Sequence, residues 1–285
     1  MTNWRKISQE AALSSHRLIG WIYWDPYGET QYEKLGIPNA FGYYITTRAG
    51  SLGKAGPNPV IAAFYSIHPD FIRSSYQLLN EHADTAAATQ IRDDTILNGL
   101  RSYVPEICED LSSMSDSLWN VADSLPASGR AMFAAQLDHR RPDEPLINAW
   151  LAINCIREWR GDTHWAIQIA EGFTGVEAGI LDGAWRNYDA DWLARSRGAD
   201  DETLRVAYES LEGRGLARNG AVTELGLAHR QSLEDRLNDL SSTAWKIFGE
   251  LETINLIDLI ETVGEILLNR IDQTGGSKWM PAARQ

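Results

Sequence analysis

Residues 157–166 read REWRGDTHWA. Two arginines, a glutamate, an aspartate and a histidine fall within eight positions, interleaved with Trp159 and Trp165. A histidine beside a carboxylate is a pairing suited to acid–base chemistry, because the carboxylate fixes the ring tautomer and the neutral imidazole moves a proton. His164 is therefore the candidate acid/base and Asp162 its orienting partner. Arginines nearby hold a substrate carboxylate or a developing oxyanion. Arg157, Arg160 and Arg48, with Glu158, form the candidate ligand-binding set.

A structural reading competes with the chemical one. Gly161 is a natural residue to end a helix beginning near Pro145, and Asp162 a natural N-cap for THWAIQIAEG. Arg157 and Arg160 would then complement the dipole of the first helix. This corner explains most of the charge, but it needs neither His164 nor Trp165. No nucleophile motif is present: GRAMF is not a serine elbow, and Cys108 and Cys155 lie in apolar helical patterns as reduced thiols. Asp162 and His164 lack the two-histidine spacing of a zinc helix, and only His16 or His68 from elsewhere would complete a site. No metal and no cofactor are assigned.

The chain is also rich in large rings, with 11 tryptophans in 285 residues. Trp21 and Trp24 cluster in GWIYWDPYG, and Tyr44 precedes Arg48 in FGYYITTR. These rings either build a core or wall an aromatic pocket for an organic ligand. In the pocket reading Trp21, Trp24, Tyr44 and Trp165 are the candidate walls.

The elements that must carry these residues read almost entirely as helices. Pro59 and Pro69 suit first helical positions, Asn39 and Asp84 suit N-caps, and no period-2 strand pattern occurs before about residue 190. After Asp189 a short helix ends at Gly198, and Asp200 caps a second helix stopped by Gly213 and Gly215. LARNGAVTE then forms a hairpin around Asn219-Gly220, and Thr223 starts a long helix. Helix, turn, helix, hairpin, helix is the winged helix-turn-helix plan. The fold class is mainly α: a multi-helix N-terminal domain over 1–190, a winged helix-turn-helix with a short β-hairpin wing over 191–248, and an apolar helix and tail over 249–285. The apolar run TINLIDLIETVGEILLNRI must dock on the core or mediate association, which makes a homodimer through it a candidate assembly.

Two stretches carry a resemblance. YESLEGRGL and VTELG flank the hairpin as in the MarR-type winged helix, which this segment resembles over roughly fifty residues. GYYITTRAGSLG, VIAAFYSIHPDFI and CIREWRGDTHWAIQIAEGFTG resemble an actinobacterial family of helical proteins with a C-terminal winged helix. Its Arg-Glu-x-x-Gly-Asp-x-His core falls on Arg157, Glu158, Gly161, Asp162 and His164. The first loop departs from the family pattern at Gly50-Ser51, where the family has a proline. The resemblance implies an architecture and candidate positions, and no reaction.

Charge bears on partners. The formal net charge is −13 and the sequence pI about 4.9, which disfavours polyanions. Between 196 and 245 six arginines face nine acids, and the reading helix begins Asp200-Asp201-Glu202. DNA binding is therefore expected to be unlikely. The opening MTNWRKISQE has no apolar h-region and no stretch suits a membrane span, so a cytoplasmic protein without membrane attachment is expected. The leading reading is a small-molecule-binding protein, with acid–base chemistry on an organic ligand in an aromatic-lined pocket. The alternatives are a ligand-responsive winged-helix transcription regulator and a non-catalytic sequestering protein.

Overall fold

The computed structural model describes residues 2–37 and 40–284. Its N-terminal half runs α1 (Trp4–Gly20), α2 (Pro26–Lys34), α3 (Ala40–Ala49), α4 (Pro57–Phe64), α5 (Pro69–His82), α6 (Thr85–Tyr103), α7 (Cys108–Ser113), α8 (Ser115–Ser124) and α9 (Ala131–Leu137). The rest runs α10 (Pro145–Ala170), α11 (Gly175–Trp185), α12 (Trp192–Ser196), α13 (Asp201–Gly213), β1 (Ala217–Arg218), β2 (Ala221–Val222), α14 (Glu224–Phe248), α15 (Glu250–Glu261) and α16 (Gly264–Thr274). The fold is mainly helical with a winged helix-turn-helix, as the sequence pattern requires.

Local chemistry sets most of these boundaries. Asp25 accepts from the backbone of Tyr27 and Gly28 ahead of α2, with Pro26 at the first helical position. Asp84 caps α6, and His68 caps α5 by accepting from the Asp70 backbone. Asp200 and Thr203 form a reciprocal cap on α13, and Thr223 caps α14; such caps each contribute about 1 kcal/mol. Asn219 and Gly220 both adopt left-handed backbone, which matches the right-handed strand twist of a two-residue hairpin. Two expectations shift: α4 begins at Pro57 rather than Pro59, and Asn39 lies outside the described residues.

The larger correction concerns 157–166. No corner exists there. The helix α10 runs unbroken through Gly161 and Asp162, from Pro145 to Ala170. It is buried on most sides, packed among α1, α7, α8, α9 and α14, and a helix so enclosed is held by tertiary contacts rather than propensity. One interior glycine, costing about 1 kcal/mol against alanine, does not end it.

The apolar tail is likewise two helices rather than one. The chain breaks at Thr262–Val263, and α15 and α16 fold back on α1. Leu256, Ile260, Val263, Leu267 and Ile271 enter the main core, each burial contributing about 1.5–3 kcal/mol. The apolar content that suggested a homodimer is thus mostly buried within the chain. Among the described residues no helix is long and apolar enough to cross a membrane.

Candidate functional site

The charged face of α10 opens on a cavity of about 380 Å³, within the range of about 300–1,000 Å³ usual for organic ligands. Arg157, Glu158, Gly161, His164 and Trp165 line it, at offsets of three and four that place them on one helical face. The opposite wall comes from Tyr44 and Arg48 on α3 and Phe64 on α4. Asp182 and Arg186 on α11, Trp192 on α12, Arg197 just after it and Glu234 on α14 form the side toward the winged helix. Trp279 and Met280 from the C-terminal tail complete it, with the Trp24 ring centre 5.5 Å from that of Trp279 and the two rings tilted by 40°.

Glu158 is the hub on the α3 side. Arg48 donates to both its carboxylate oxygens, at 3.1 and 2.8 Å, and Arg157 donates to Oε1. Arg48 also donates to the Tyr44 hydroxyl at 2.6 Å, and its guanidinium lies 4.9 Å from the Phe64 ring centre. Burial alone would raise the Glu158 carboxyl, but Arg157 and Arg48 together hold it below its ordinary value. Arg157 further donates to the Tyr23 hydroxyl at 3.0 Å and to Asn154.

A second network ties α10 to the winged helix. Arg160 donates to Glu234 at 2.6 Å and to Asn238 at 2.9 Å. Arg230, itself buried, bridges Glu234 at 2.8 Å and Asp182 at 2.7 Å, and Arg186 reaches Asp182 at 3.1 Å. Burial opposes ionisation of Asp182, yet Arg186 and Arg230 hold its carboxyl well below the usual range.

The two histidines of the cavity wall are neutral. Burial, aided by Arg230, lowers His164 to about 3, so the ring is uncharged at physiological pH for reasons of burial rather than a helix N-terminus. Its Nε2 lies 3.0 Å from the Gln168 amide, and its ring lies 4.7 Å from that of Trp165. His16 on α1 is also pushed to about 3, by burial and then Arg157. Its Nδ1 donates to Ala12 O at 2.7 Å, which leaves Nε2 as an acceptor on the cavity wall.

Two candidate residues lie elsewhere. Asp162 does not face His164: its Oδ2 accepts from the Phe133 backbone at 2.9 Å, capping α9 from the far side of α10. Burial raises it to about 6. The Asp162–His164 dyad is therefore not formed, because neighbours two apart on a helix point away from each other. Trp21 is fully buried in the main core, its indole donating to Leu18 O at 2.9 Å, and it packs where a side chain at Gly99 would collide with it. It is a core ring and no wall of the cavity. The remaining candidates, Arg48, Arg157, Glu158, Arg160, His164, Trp24, Tyr44 and Trp165, all border the cavity.

Sequence reasoning missed Asp182, Arg197, Glu234 and Trp279. Asp182 carried a signal, an acid inside the apolar run AGILDGAW. Arg197 and Trp279 carried none, since only the tertiary fold brings the helix-turn-helix turn and the tail to α10.

Residues 8–273 match the helix-turn-helix family described by that name, and the chain belongs to it. No curated protein and no solved structure gives a significant match. Family membership overturns the exclusion of DNA as a partner. That exclusion rested on the net charge, on the acids between 196 and 245 and on the acidic start of the reading helix; one of those acids, Glu234, is buried in ion pairs rather than presented to solvent.

Proposed function

We propose that this helix-turn-helix protein is a ligand-responsive winged-helix regulator, reading DNA with α13 and the wing and an organic molecule in the cavity. The observation that carries the reading is the shared wall. The same cavity is bordered by α10 and by Asp182, Arg197 and Glu234 of the winged-helix segment. A bound ligand therefore touches both parts, so that a shift of one against the other changes its affinity, which is what coupling requires. We place the boundary of the winged-helix unit at α11 rather than residue 191, because Ile180 and Leu181 share one apolar cluster with Leu204, Leu211 and Leu233.

The DNA-facing surface has specific content. On α13, Leu204, Ala207 and Leu211 are buried, which turns Thr203, Arg205, Val206 and Ser210 outward. Val206 is 51% exposed, and an outward apolar side chain on a reading helix suits a thymine methyl. Arg205 is held by Glu202 at 2.6 Å and Glu209 at 2.5 Å. Arg218 on the exposed wing is the phosphate contact in this reading. The acid–base reading has less support, since His164 lacks the orienting carboxylate it was paired with.

The test is selection of the purified chain on a random-sequence DNA library. Enrichment of a defined sequence supports the regulator reading. A library that stays random through repeated rounds counts against it.

A further inference from the structure

The cavity wall holds more positive charge than its carboxylates can neutralise. Arg48 and Arg157 share Glu158, Arg160 and Arg230 share Glu234, and Arg230 and Arg186 share Asp182. Arg197 is a further cation at the cavity. Among the described residues five guanidinium groups thus line the cavity with three carboxylates, two of which are also shared with Arg230 behind the wall, while His16 and His164 are neutral.

Arg197 is the group left over. Its guanidinium makes no hydrogen bond or ion pair among the described residues, although Asp182, Tyr44, Arg186 and Arg48 surround it. Arg197 is partly buried, and Arg160 Nε on the same wall is a fully buried donor without a partner among the described residues. A desolvated guanidinium without an anion is costly, and its fork of donors is shaped for a planar or tetrahedral oxyanion. The backbone around Arg197 is fixed: His68 N donates to Arg197 O at 2.8 Å. Gly198 follows in left-handed backbone, where a Cβ would come within 2.5 Å of His68 Cβ. The same cavity offers the rings of Trp165, Trp192, Trp279 and Phe64 for a flat apolar body.

We propose that the cavity's occupant is an aromatic organic anion whose acidic group pairs with Arg197. This rests on the cavity being the ligand site of the proposed regulator, and it adds a sign of charge and a contact residue. Arg197 lies in the turn between α12 and α13, one residue past the end of α12 and three before Asp200, the α13 cap. Pairing there places the ligand's charge on the turn that orients the reading helix.

The test uses two fluorescent probes sharing one ring system, anionic 8-anilino-1-naphthalenesulfonate and neutral N-phenyl-1-naphthylamine. Arg197→Met is expected to weaken the sulfonate by about tenfold or more while moving the neutral probe by less than about twofold. In the wild-type chain 2-naphthoate is expected to displace the sulfonate probe about tenfold more effectively than 2-naphthylmethanol, a comparison that needs no variant to fold. Gly161→Leu, which fills the cavity from α10, is expected to abolish both probes. Equal effects of Arg197→Met on the two probes, or equal displacement by the two naphthalenes, overturns the anion assignment and leaves the cavity as a ligand site. Probe binding that survives Gly161→Leu lies outside the cavity and overturns the ligand site itself.

Discussion

Arg160 on α10 and Glu234 on α14 meet at 2.6 Å in a buried network that joins the central helix to the winged helix. Glu234 also accepts from Arg230 at 2.8 Å, so one carboxylate serves two guanidinium groups. Removing it strands both. Glu234→Ala is expected to cost on the order of 3–5 kcal/mol in urea unfolding, against little for truncating a solvent-exposed acid such as Glu209. A loss under about 1 kcal/mol would mean that the network does not join these helices in solution.

Gly161 separates stability from binding. Its backbone is ordinary helix, and an added Cβ would meet only Glu158 Oε2, at 3.5 Å. Gly161→Ala is expected to stabilise the fold by up to about 1 kcal/mol while weakening probe binding, because the methyl projects into the cavity. A variant that is more stable and binds as tightly as wild type would show that this face of α10 is not the ligand wall.

Asp162 has a purely structural task here. Its folded value of about 6 lies above the ordinary carboxylate value, so the native state binds the proton more tightly than the unfolded chain does. Its contribution is fully present below about pH 4 and is lost as pH rises through about 6. Asp162→Asn keeps an acceptor for the α9 backbone without a buried charge, and is expected to equal or exceed wild-type stability at pH 7.5. Asp162→Ala is expected to cost about 1 kcal/mol. Both should bind the probes like wild type; a binding loss in Asp162→Asn would restore its pairing with His164.

The histidines give the opposite slope. His164 and His16 have folded values of about 3, below the ordinary imidazole value. Their contribution is present above about pH 6.5 and is lost as pH falls from there toward 3. Urea midpoints of the wild-type chain should drop between pH 7 and 5, and less so in His164→Gln. Ring proton shifts of both histidines that titrate near pH 6.5 would place them in solvent rather than in the cavity wall.

The sequence carried the winged helix well, because caps, turn glycines and the Asn219-Gly220 hairpin are local signals written in a few adjacent residues. It also carried most of the cavity's α10 and α3 lining. What it misread was one glycine. Taking Gly161 as a helix end turned a stripe at 157, 158, 161, 164 and 165 into a corner, and made Asp162 a neighbour of His164 in chemistry as well as in sequence. Read with helical spacing, the same residues divide into a face with Asp162 and a face without it. Arg197, Trp279 and the Glu234 network were not legible, since α12, α14 and the tail reach α10 only through packing across the whole chain.

Electrostatics at the DNA surface can be tested apart from the ligand. On the sequence enriched by selection, Arg218→Ala should weaken binding across sequences alike and reduce the salt slope by about one. Glu202→Gln with Glu209→Gln frees Arg205 and should tighten binding. Unchanged affinity in all of these variants would place the DNA contact on another surface.

Coupling between the two sites is read in a single titration: affinity for the selected DNA, at fixed salt, with and without saturating 2-naphthoate. A ligand whose charge sits on Arg197, in the turn before α13, should change that affinity about fivefold or more, within the usual range of coupling between sites. The same change should vanish in Gly161→Leu. DNA affinity that stays constant while the cavity is demonstrably filled would contradict the account.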